Sequence, residues 1–305
     1  MKIVFAGSPE FAVPPLRALL NCGNCEVLAV ITQPDKPVGR KQILTPTPVK
    51  SYALEQGLKV YDFKRIRDCV AEVKAIGADA MITCAYGQIL TQEVLDCFHS
   101  GVWNLHASLL PLFRGASPVQ SAILAGQSHT GITVMKTELA LDSGDIMLVK
   151  RCEIGDKTCG ELSEELSALA AEAAVDAVKY LRQGDVQLLM QDEAKVTFCK
   201  KINKSDCKLD FSKPCEEVIR AIKAFSPQPA AYCSHGGQNL NILNADPAEG
   251  SGRSGEVLAA DKRGVTVACG TGAVCITLLQ PAGGKVMPAR DFVNGRKIKA
   301  GDVLD

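Results

Sequence analysis

Residues 102–106, Val-Trp-Asn-Leu-His, run through Ala107 into Ser-Leu-Leu-Pro at 108–111. The pattern predicts a short strand that ends in a loop. Because residues two apart on a strand point to the same face, Asn104 and His106 should lie together at the carboxyl end of this strand. An amide N–H donor beside an imidazole can hold a developing oxyanion and move a proton, and acyl transfer requires both.

Apolar strand patterns alternate with helical patterns through the first part of the chain. This alternation is typical of an α/β fold with a doubly wound, mostly parallel sheet. Sites in such sheets lie beyond the carboxyl ends of the strands, where Gly7, Gly87 and His106 fall. The predicted strands cover residues 2–6, 27–32, 80–84, 102–106 and 131–137. The predicted helices cover residues 11–21, 48–55, 117–125 and 161–181.

The pattern changes after about residue 183. A lysine-rich stretch with few apolar residues, 192–208, is interpreted as a connecting segment, and a short helix is predicted at 215–225. Short alternating runs between glycine-rich turns then predict a small β-barrel or sandwich; they cover residues 239–243, 255–259, 264–269 and 273–279. We therefore predict a Rossmann-like domain at 1–189, a linker at 190–207 and a β domain at 208–305.

Composition excludes several classes of protein. The 305 residues are 47% hydrophobic and 22% charged, and 34 basic residues balance 34 acidic ones, so bulk charge does not indicate a nucleic-acid binder. No apolar run approaches the roughly 20 residues that span a bilayer. The first strand pattern starts at Lys2, and the polar Gly7-Ser8-Pro9 follows too early for a signal peptide. We expect a cytoplasmic protein without membrane association.

Two kinds of ligand site are disfavoured. The 13 cysteines include a single C-x-x-C, Cys22 to Cys25, with no second pair or nearby histidine to complete a zinc set, so we expect free thiols and no metal. The first turn, Gly-Ser-Pro-Glu at 7–10, is not G-x-G-x-x-G. Since Pro9 removes an amide that would contact a pyrophosphate, a nicotinamide dinucleotide is not expected.

An acidic glycine turn, Leu-Asp-Ser-Gly-Asp at 141–145, follows the predicted strand 131–137. Acidic turns usually only cap their own backbone. A carboxylate beside an imidazole, however, fixes the orientation of the ring. Asn104, His106 and Asp142 then form one set of oxyanion donor, proton carrier and orienting charge, with Asp145 as the alternative acid.

Three segments stand in a characteristic order and spacing: Asn-Leu-His at 104–106, Ser-Leu-Leu-Pro at 108–111 with Arg114-Gly115, and Leu-Asp-Ser-Gly-Asp at 141–145. In these segments the chain resembles the formyltransferase family that uses 10-formyltetrahydrofolate. The resemblance implies that Asn104, His106 and Asp142 are catalytic. It also implies a folate site lined by Ser108, Leu109, Leu110 and Pro111 and by Gly87, Gln88, Ile89 and Leu90.

Within this family, the chain resembles the members that formylate initiator methionyl-tRNA, and this resemblance covers nearly the whole sequence. Further matching stretches are Val-Phe-Ala-Gly-Ser-Pro-Glu-Phe at 4–11, Thr-Gln-Pro-Asp-Lys-Pro at 32–37 and Gln-Pro-Ala-Gly at 280–283. The likeness implies 10-formyltetrahydrofolate as co-substrate, initiator methionyl-tRNA as partner, no metal, and an OB-like tRNA-binding domain at 208–305. We expect a monomer.

Residues 33–50 form a long segment that carries four prolines and several basic residues. We expect a loop without regular structure, and loops of this length are usually functional or disordered. Basic side chains on such a loop can contact phosphates. The resemblance implies that Lys36, Arg40 and Lys41 contact the acceptor end of the tRNA, although the family's basic stretch is one residue longer, since Lys41 runs directly on to Gln42 here.

Alternative functions remain open at the level of the sequence. A formyl-folate hydrolase, or a formyltransferase for a nucleotide or sugar amine, would share the set Asn104, His106 and Asp142. A non-catalytic RNA-binding protein would use only the basic loop and the C-terminal domain. Turnover of 10-formyltetrahydrofolate with methionyl-tRNA distinguishes all of these from the expected activity.

Overall fold

The computed structural model describes residues 1–39, 41–184, 186–295 and 297–305. It divides into two compact units. The first contains Met1–Pro118, His129–Glu153 and Ser163–Cys199, and the second contains Val119–Ser128, Ile154–Leu162 and Lys200–Asp305. Residues 190–199 of the predicted linker thus belong to the first unit, while the predicted bounds 1–189, 190–207 and 208–305 stay a prediction.

The strands of the first unit are β1 (Lys2–Gly7), β2 (Glu26–Ile31), β3 (Lys36–Val38), β4 (Ile43–Thr45), β5 (Val60–Tyr61), β6 (Ala80–Cys84), β7 (Val102–His106), β8 (Arg114–Gly115), β9 (His129–Lys136), β10 (Ile146–Glu153) and β11 (Phe198–Cys199). The helices through residue 183 are α1 (Val13–Asn21), α2 (Pro48–Glu55), α3 (Val70–Ala75), α4 (Gln92–Leu95), α5 (Pro118–Leu124) and α6 (Cys159–Gln183). Short 3₁₀ helices cover Glu10–Ala12, Ile66–Asp68, Glu193–Lys195 and Lys204–Cys207.

Within the described residues, seven strands pair in the order β10-β9-β7-β6-β1-β2-β5. The strands from β7 to β5 run parallel. Ile3, Val4 and Phe5 of the central strand β1 are fully buried, as expected where both faces of a parallel sheet are covered. The carboxyl ends of β1, β2, β6 and β7 therefore meet at one edge, and the predicted doubly wound, mostly parallel sheet is confirmed.

The direction of β9 was not predicted. It runs antiparallel to β7, and β10, which the sequence analysis missed, pairs antiparallel with β9. Since Lys136 at the end of β9 pairs with Trp103, β9 ends at the opposite end of β7 from His106. Residues 137–142 must return along the sheet to bring Asp142 toward the predicted site.

The prediction of a loop without regular structure at 33–50 is wrong for the described residues. β3 and β4 form an antiparallel hairpin in which Lys36 lies opposite Thr45 and Val38 opposite Ile43. Apolar residues on both arms favour strands. Pro37 is tolerated in β3 because the hairpin has only two strands, and a proline can occupy an edge.

Local signals explain where several elements begin. Thr47 caps α2 by accepting a hydrogen bond from Lys50 N, and Pro48 occupies the first helical position. The predicted bounds coincide with those observed for α2, β6 and β7. Among the described residues, no helix combines the length and apolar character needed to cross a bilayer.

The second unit contains β12 (Ala231–His235), β13 (Gln238–Ala248), β14 (Val257–Asp261), β15 (Gly264–Ala268), β16 (Ala273–Pro281), β17 (Met287–Pro288), α7 (Cys215–Phe225) and α8 (Ala289–Asn294). The antiparallel order is β12-β13-β16-β15-β14, with β17 beside β16. The last residues link the two edges: Leu304 N donates to Gly255 O at 2.8 Å, and Ser234 N donates to Asp305 O at 2.7 Å. The sheet therefore closes through the C-terminal residues, as a small barrel requires.

Candidate active site

The loops that follow β1, β2 and β6 are tied together by hydrogen bonds. Gln33 Nε2 donates to Tyr86 O at 2.9 Å, and Gln33 N donates to Ser8 Oγ at 3.2 Å. Ser8 Oγ donates to Tyr86 O at 3.4 Å. These bonds hold the backbone after β6, where Ala85 and Gly87 have φ of 47° and 76°. Hydrogen bonds thus hold the three loops together at the carboxyl edge of the parallel sheet.

Asn104 lies near the end of β7, opposite Thr83 of β6. Thr83 Oγ1 donates to Asn104 Oδ1 at 2.9 Å, and this bond fixes which end of the amide faces the protein. Within the described residues Asn104 Nδ2 makes no hydrogen bond, and the side chain is only half-buried. Nδ2 is therefore able to donate to a ligand.

His106 and Asp142 converge, as the sequence predicted. The imidazole is buried, and its Nδ1 lies 3.7 Å from Asp142 Oδ2. Its Nε2 lies 3.0 Å from the carbonyl oxygen of Phe113. Because a carbonyl only accepts, Nε2 carries the hydrogen in this arrangement. The hydrogen bond between His106 Nε2 and Phe113 O was not predicted from the sequence.

Asp142 occupies a turn with φ of 47°. Its Oδ2 accepts a hydrogen bond from Gly115 N at 2.8 Å, so the carboxylate is held by the loop that follows the Ser-Leu-Leu-Pro segment. Asp145, the alternative acid, uses its backbone carbonyl to accept from Lys136 N at 2.9 Å. The structure thus brings Asp142, of the two candidates, beside the imidazole.

The segment 108–111 is held mostly by hydrogen bonds to buried polar atoms. Thr133, opposite His106 on β9, donates to Ser108 O at 2.6 Å and accepts from Leu110 N at 3.2 Å. The side chains of Ser108 and Leu110 are buried, and those of Leu109 and Pro111 are half-buried. Of the four predicted folate-lining side chains, only Leu109 and Pro111 are open to a ligand.

The second predicted folate segment, 87–90, presents mainly backbone. Gln88 is occupied within the protein, since it donates to Phe63 O and accepts from Ile66 N, each at 2.8 Å. Leu90 is buried, whereas Gly87 is exposed and Ile89 is 80% exposed. A large aliphatic side chain beside open backbone suits a flat heterocycle with hydrogen-bonding edges.

Of the predicted tRNA contacts, Lys36 and Lys41 are exposed on the hairpin, and Arg40 lies outside the described residues. The base of the hairpin is anchored by Lys50, whose Nζ donates to Asp35 and Asp62 at 2.7 Å each. These two acids, Asp35 first, raise the pKa of Lys50, and Lys50 in turn lowers the pKa of Asp62. Opposite charges at hydrogen-bond distance favour both charged forms.

Three further residues of the site were missed at the level of the sequence. Gln191, Glu193 and Thr197 bond to Arg114 or to its neighbours. The sequence shows these three polar residues within seven positions, but this pattern does not indicate which residues they contact.

The arrangement supplies an amide donor, a buried imidazole and a carboxylate at one end of the sheet. Such groups stabilise negative charge and move protons. In the described part of the chain, no group of three or more His, Cys, Asp or Glu side chains is placed to hold a metal ion.

Comparisons with known proteins identify the family of the chain. A family model described as formyl transferase matches residues 1–178, and one described as formyl transferase, C-terminal domain, matches residues 201–297. The chain belongs to the formyl transferase family. The predicted family resemblance and the α/β-plus-β-domain fold class are therefore confirmed.

Individual formyl transferases extend the likeness over the whole chain. A methionyl-tRNA formyltransferase from Chromobacterium violaceum is 43% identical over 100% of this chain and 99% of its own length. One from Pseudomonas paraeruginosa is 44% identical with the same coverage. The solved N-formyltransferase of Helicobacter canadensis, in complex with folinic acid and dTDP-3-aminofucose, has a TM-score of 0.68, 16% identity, and coverage of 90% of this chain and 99% of its own.

Proposed function

We propose that the protein transfers the formyl group of 10-formyltetrahydrofolate to the α-amino group of methionine on initiator methionyl-tRNA. The observation that carries the proposal is the placement of Asp142 Oδ2 3.7 Å from His106 Nδ1, beside the open amide of Asn104. The full-length likeness at 43–44% identity to methionyl-tRNA formyltransferases supports the acceptor. The likeness to the Helicobacter sugar-amine enzyme, at 16% identity, supports the fold alone and not the sugar-amine alternative.

Each catalytic group has a distinct role in this proposal. Asn104 Nδ2 donates to the formyl oxygen as negative charge develops there, which is the task of an oxyanion donor. His106 leaves Phe113 O and, with its hydrogen on Nδ1 toward Asp142, uses Nε2 to take a proton from the attacking amine. It then gives this proton to the folate nitrogen as the bond between that nitrogen and the formyl carbon breaks. Asp142, held by Gly115 N, keeps the imidazole oriented throughout.

The folate co-substrate supplies a formyl group that is already activated on nitrogen. Leu109, Pro111 and Ile89 offer apolar contact, and the backbone around Gly87 offers donors and acceptors for a pterin edge. Tying Tyr86 to Ser8 and Gln33 keeps that backbone in place before the ligand arrives. Pre-formed contacts of this kind reduce the ordering cost of binding.

The tRNA meets the hairpin in this proposal. Lys36 and Lys41 contact phosphates of the acceptor end, and Arg40, which precedes Lys41 in the sequence, belongs with them. The C-terminal domain adds further contacts to the tRNA backbone. The protein acts as a monomer in the cytoplasm, where charged tRNA and reduced folate are found.

The test is formyl transfer with purified protein, 10-formyltetrahydrofolate and charged tRNAs. We expect N-formylmethionyl-tRNA to form from the initiator species, with charged elongator tRNA and a dTDP-amino sugar as much poorer acceptors. Folate release without acceptor would instead indicate a hydrolase. Salt-sensitive RNA binding without turnover would indicate a binding protein, and either result would contradict the proposal.

A further inference from the structure

The segment 190–199, called here the strap, lies against the catalytic loop 111–116. Thr197 N donates to Pro111 O at 3.3 Å, and Arg114 N donates to Thr197 O at 2.9 Å. β11 in the strap pairs with β8 in the loop, and Ala116 N donates to Cys199 O at 3.2 Å. Consecutive backbone bonds therefore hold the strap to the loop that carries Gly115.

Gln191 is a strap residue that bonds both the catalytic loop, at Arg114, and the turn that carries Asp142. Its Oε1 accepts from Arg114 Nε at 3.0 Å and from Nη2 at 2.9 Å. Its Nε2 donates to Asp142 O and to Gly144 O, each at 2.8 Å. Both lone pairs and both hydrogens of the amide are used, which is the full capacity of a glutamine side chain.

Arg114 is buried, so its charge needs a partner. Glu193 of the strap supplies one, with Oε1 2.7 Å from Nη2. Gln191 and Glu193 thus fix the guanidinium next to Gly115, the residue whose N–H donates to the Asp142 carboxylate. Gln191 therefore bonds the side chain of Arg114, which precedes the donor Gly115, and the backbone of the acceptor residue Asp142.

The Asp142 turn needs such support. A non-glycine residue with φ of 47° is in an uncommon conformation that persists only where the surroundings hold it. Gln191 bonds the carbonyls on both sides of Ser143, which spans the top of this turn. Without those bonds, the turn would keep the bond from Ser143 Oγ to Ala140 O at 3.1 Å and the bond from Gly115 N to the carboxylate.

We infer that Gln191 is a positioning residue for formyl transfer: it bridges Arg114 to the Asp142 turn and so sets where the Asp142 carboxylate stands beside His106. The inference rests on the proposed function, because its catalytic readout is formyl transfer. A misplacement of about 1 Å in a catalytic group can cost about 10²-fold in rate. Gln191→Ala should therefore lower kcat about 100-fold and leave the KM for 10-formyltetrahydrofolate within about twofold.

A double-mutant cycle with Asp142 separates positioning from general destabilisation. If Gln191 acts through Asp142, the variant that combines Gln191→Ala with Asp142→Ala should be no more than about threefold slower than Asp142→Ala alone. Losses that multiply in the double variant, or a Gln191→Ala enzyme within threefold of wild type, would overturn the inference. Gln187→Ala, an exposed glutamine four residues earlier, is the matched control and should behave as wild type.

A readout independent of activity keeps the two proposals apart. Hydrogen exchange measured by mass spectrometry should be faster in peptides covering 137–146 in Gln191→Ala but not in Gln187→Ala, and unchanged exchange would contradict the inference. An inactive wild type with this exchange response would sink the proposed function but not the bridging role of Gln191. Should Gln191→Ala not fold, Gln191→Glu serves both measurements, since it keeps the acceptor toward Arg114 and turns a carboxylate oxygen toward two carbonyls.

Discussion

Two regions at the same edge of the sheet are built in opposite ways. Around His106, the polar groups are buried and bonded to partners far along the chain, as with Thr133 to Ser108 and Asp142 to Gly115. The strands β3 and β4 of the hairpin are exposed, and ion pairs of Lys50 with Asp35 and Asp62 hold its base. The first region tolerates little movement, and the second can adjust above its anchor.

The difference follows from what each region is proposed to bind. A reacting carbonyl demands donors placed to within fractions of an ångström, since preorganised dipoles are worth most when they need not rearrange. A nucleic-acid backbone is contacted mainly by charge, and such contacts tolerate adjustment. Changes in the first region should therefore lower kcat, and changes in the second should raise the KM for tRNA.

The largest expected effect is that of His106→Ala. Loss of the proton carrier should lower kcat for formyl transfer by about 10³-fold, within the usual range for general acid–base groups. The KM values for tRNA and folate should stay within about threefold, because the imidazole is buried. Steady-state kinetics check this, with His99→Ala, an exposed histidine, as the control. A change in KM alone would place His106 with the binding residues instead.

Gly115→Ala tests the rigidity of the catalytic region. Gly115 has φ of 125°, and a Cβ there would lie 2.1 Å from the carbonyl oxygen of Cys199 in the strap. We expect a clear loss of thermal stability and a fall in kcat of about 10²-fold as Gly115 N moves from Asp142. Gly39→Ala in the hairpin also has positive φ but meets nothing within 4 Å. If both variants lose activity equally, the contrast between the regions is wrong.

Lys50→Met tests the anchor of the hairpin. Losing two ion pairs of about 0.5–1 kcal/mol each should lower kcat/KM for charged tRNA by about tenfold. The KM for 10-formyltetrahydrofolate should not change, since the side-chain bonds of Lys50 go to Asp35 and Asp62, which lie outside the folate segments. Lys64→Met, an exposed lysine outside the hairpin, is the control. An equal effect on the folate KM would show that the hairpin and the catalytic region are not separate.

The smallest expected effect is on the pH dependence of stability. Lys50 lowers the pKa of Asp62 from its ordinary 3.8, so the contribution of Asp62 is present above that value and is lost as the pH falls through the lower, folded-state pKa. Since Asp62 is 48% exposed, solvent screening limits it to less than about 1 kcal/mol. Urea unfolding should show wild type more stable than Asp62→Asn at pH 7 and equal to it near pH 2. A difference that persists at low pH would point to packing instead.

Much of the fold was predictable because its elements carry strong local patterns. The buried runs of β6 and β7 and the proline and threonine at the start of α2 predicted those bounds correctly. The direction of β9 and the existence of β10 were not predictable in this way. Three of the eight residues of β10 are exposed, which weakens its apolar pattern, and strand direction depends on contacts that no local window contains.

The site divides along the same line. The family segments predicted Asn104, His106 and Asp142, and the structure brings the last two together. The bond of His106 to Phe113 O and the bridge through Gln191 were not predicted. The side-chain contacts of Gln191 with Arg114 and of Thr197 with Phe113 join residues 77 and 84 positions apart, and the sequence around the strap resembles an ordinary linker. Side-chain pairing over such distances is a property of the folded chain.

The most direct test of the proposed chemistry is the single-turnover rate of Asn104→Ala with saturating 10-formyltetrahydrofolate and charged initiator tRNA. Asn104 presents the one amide that Thr83 orients toward the site. We predict a rate about 10²–10³-fold below wild type, with folate affinity within twofold and with Asn21→Ala unaffected. A folded Asn104→Ala protein that transfers formyl at the wild-type rate would contradict the assignment of this end of the sheet as the catalytic centre.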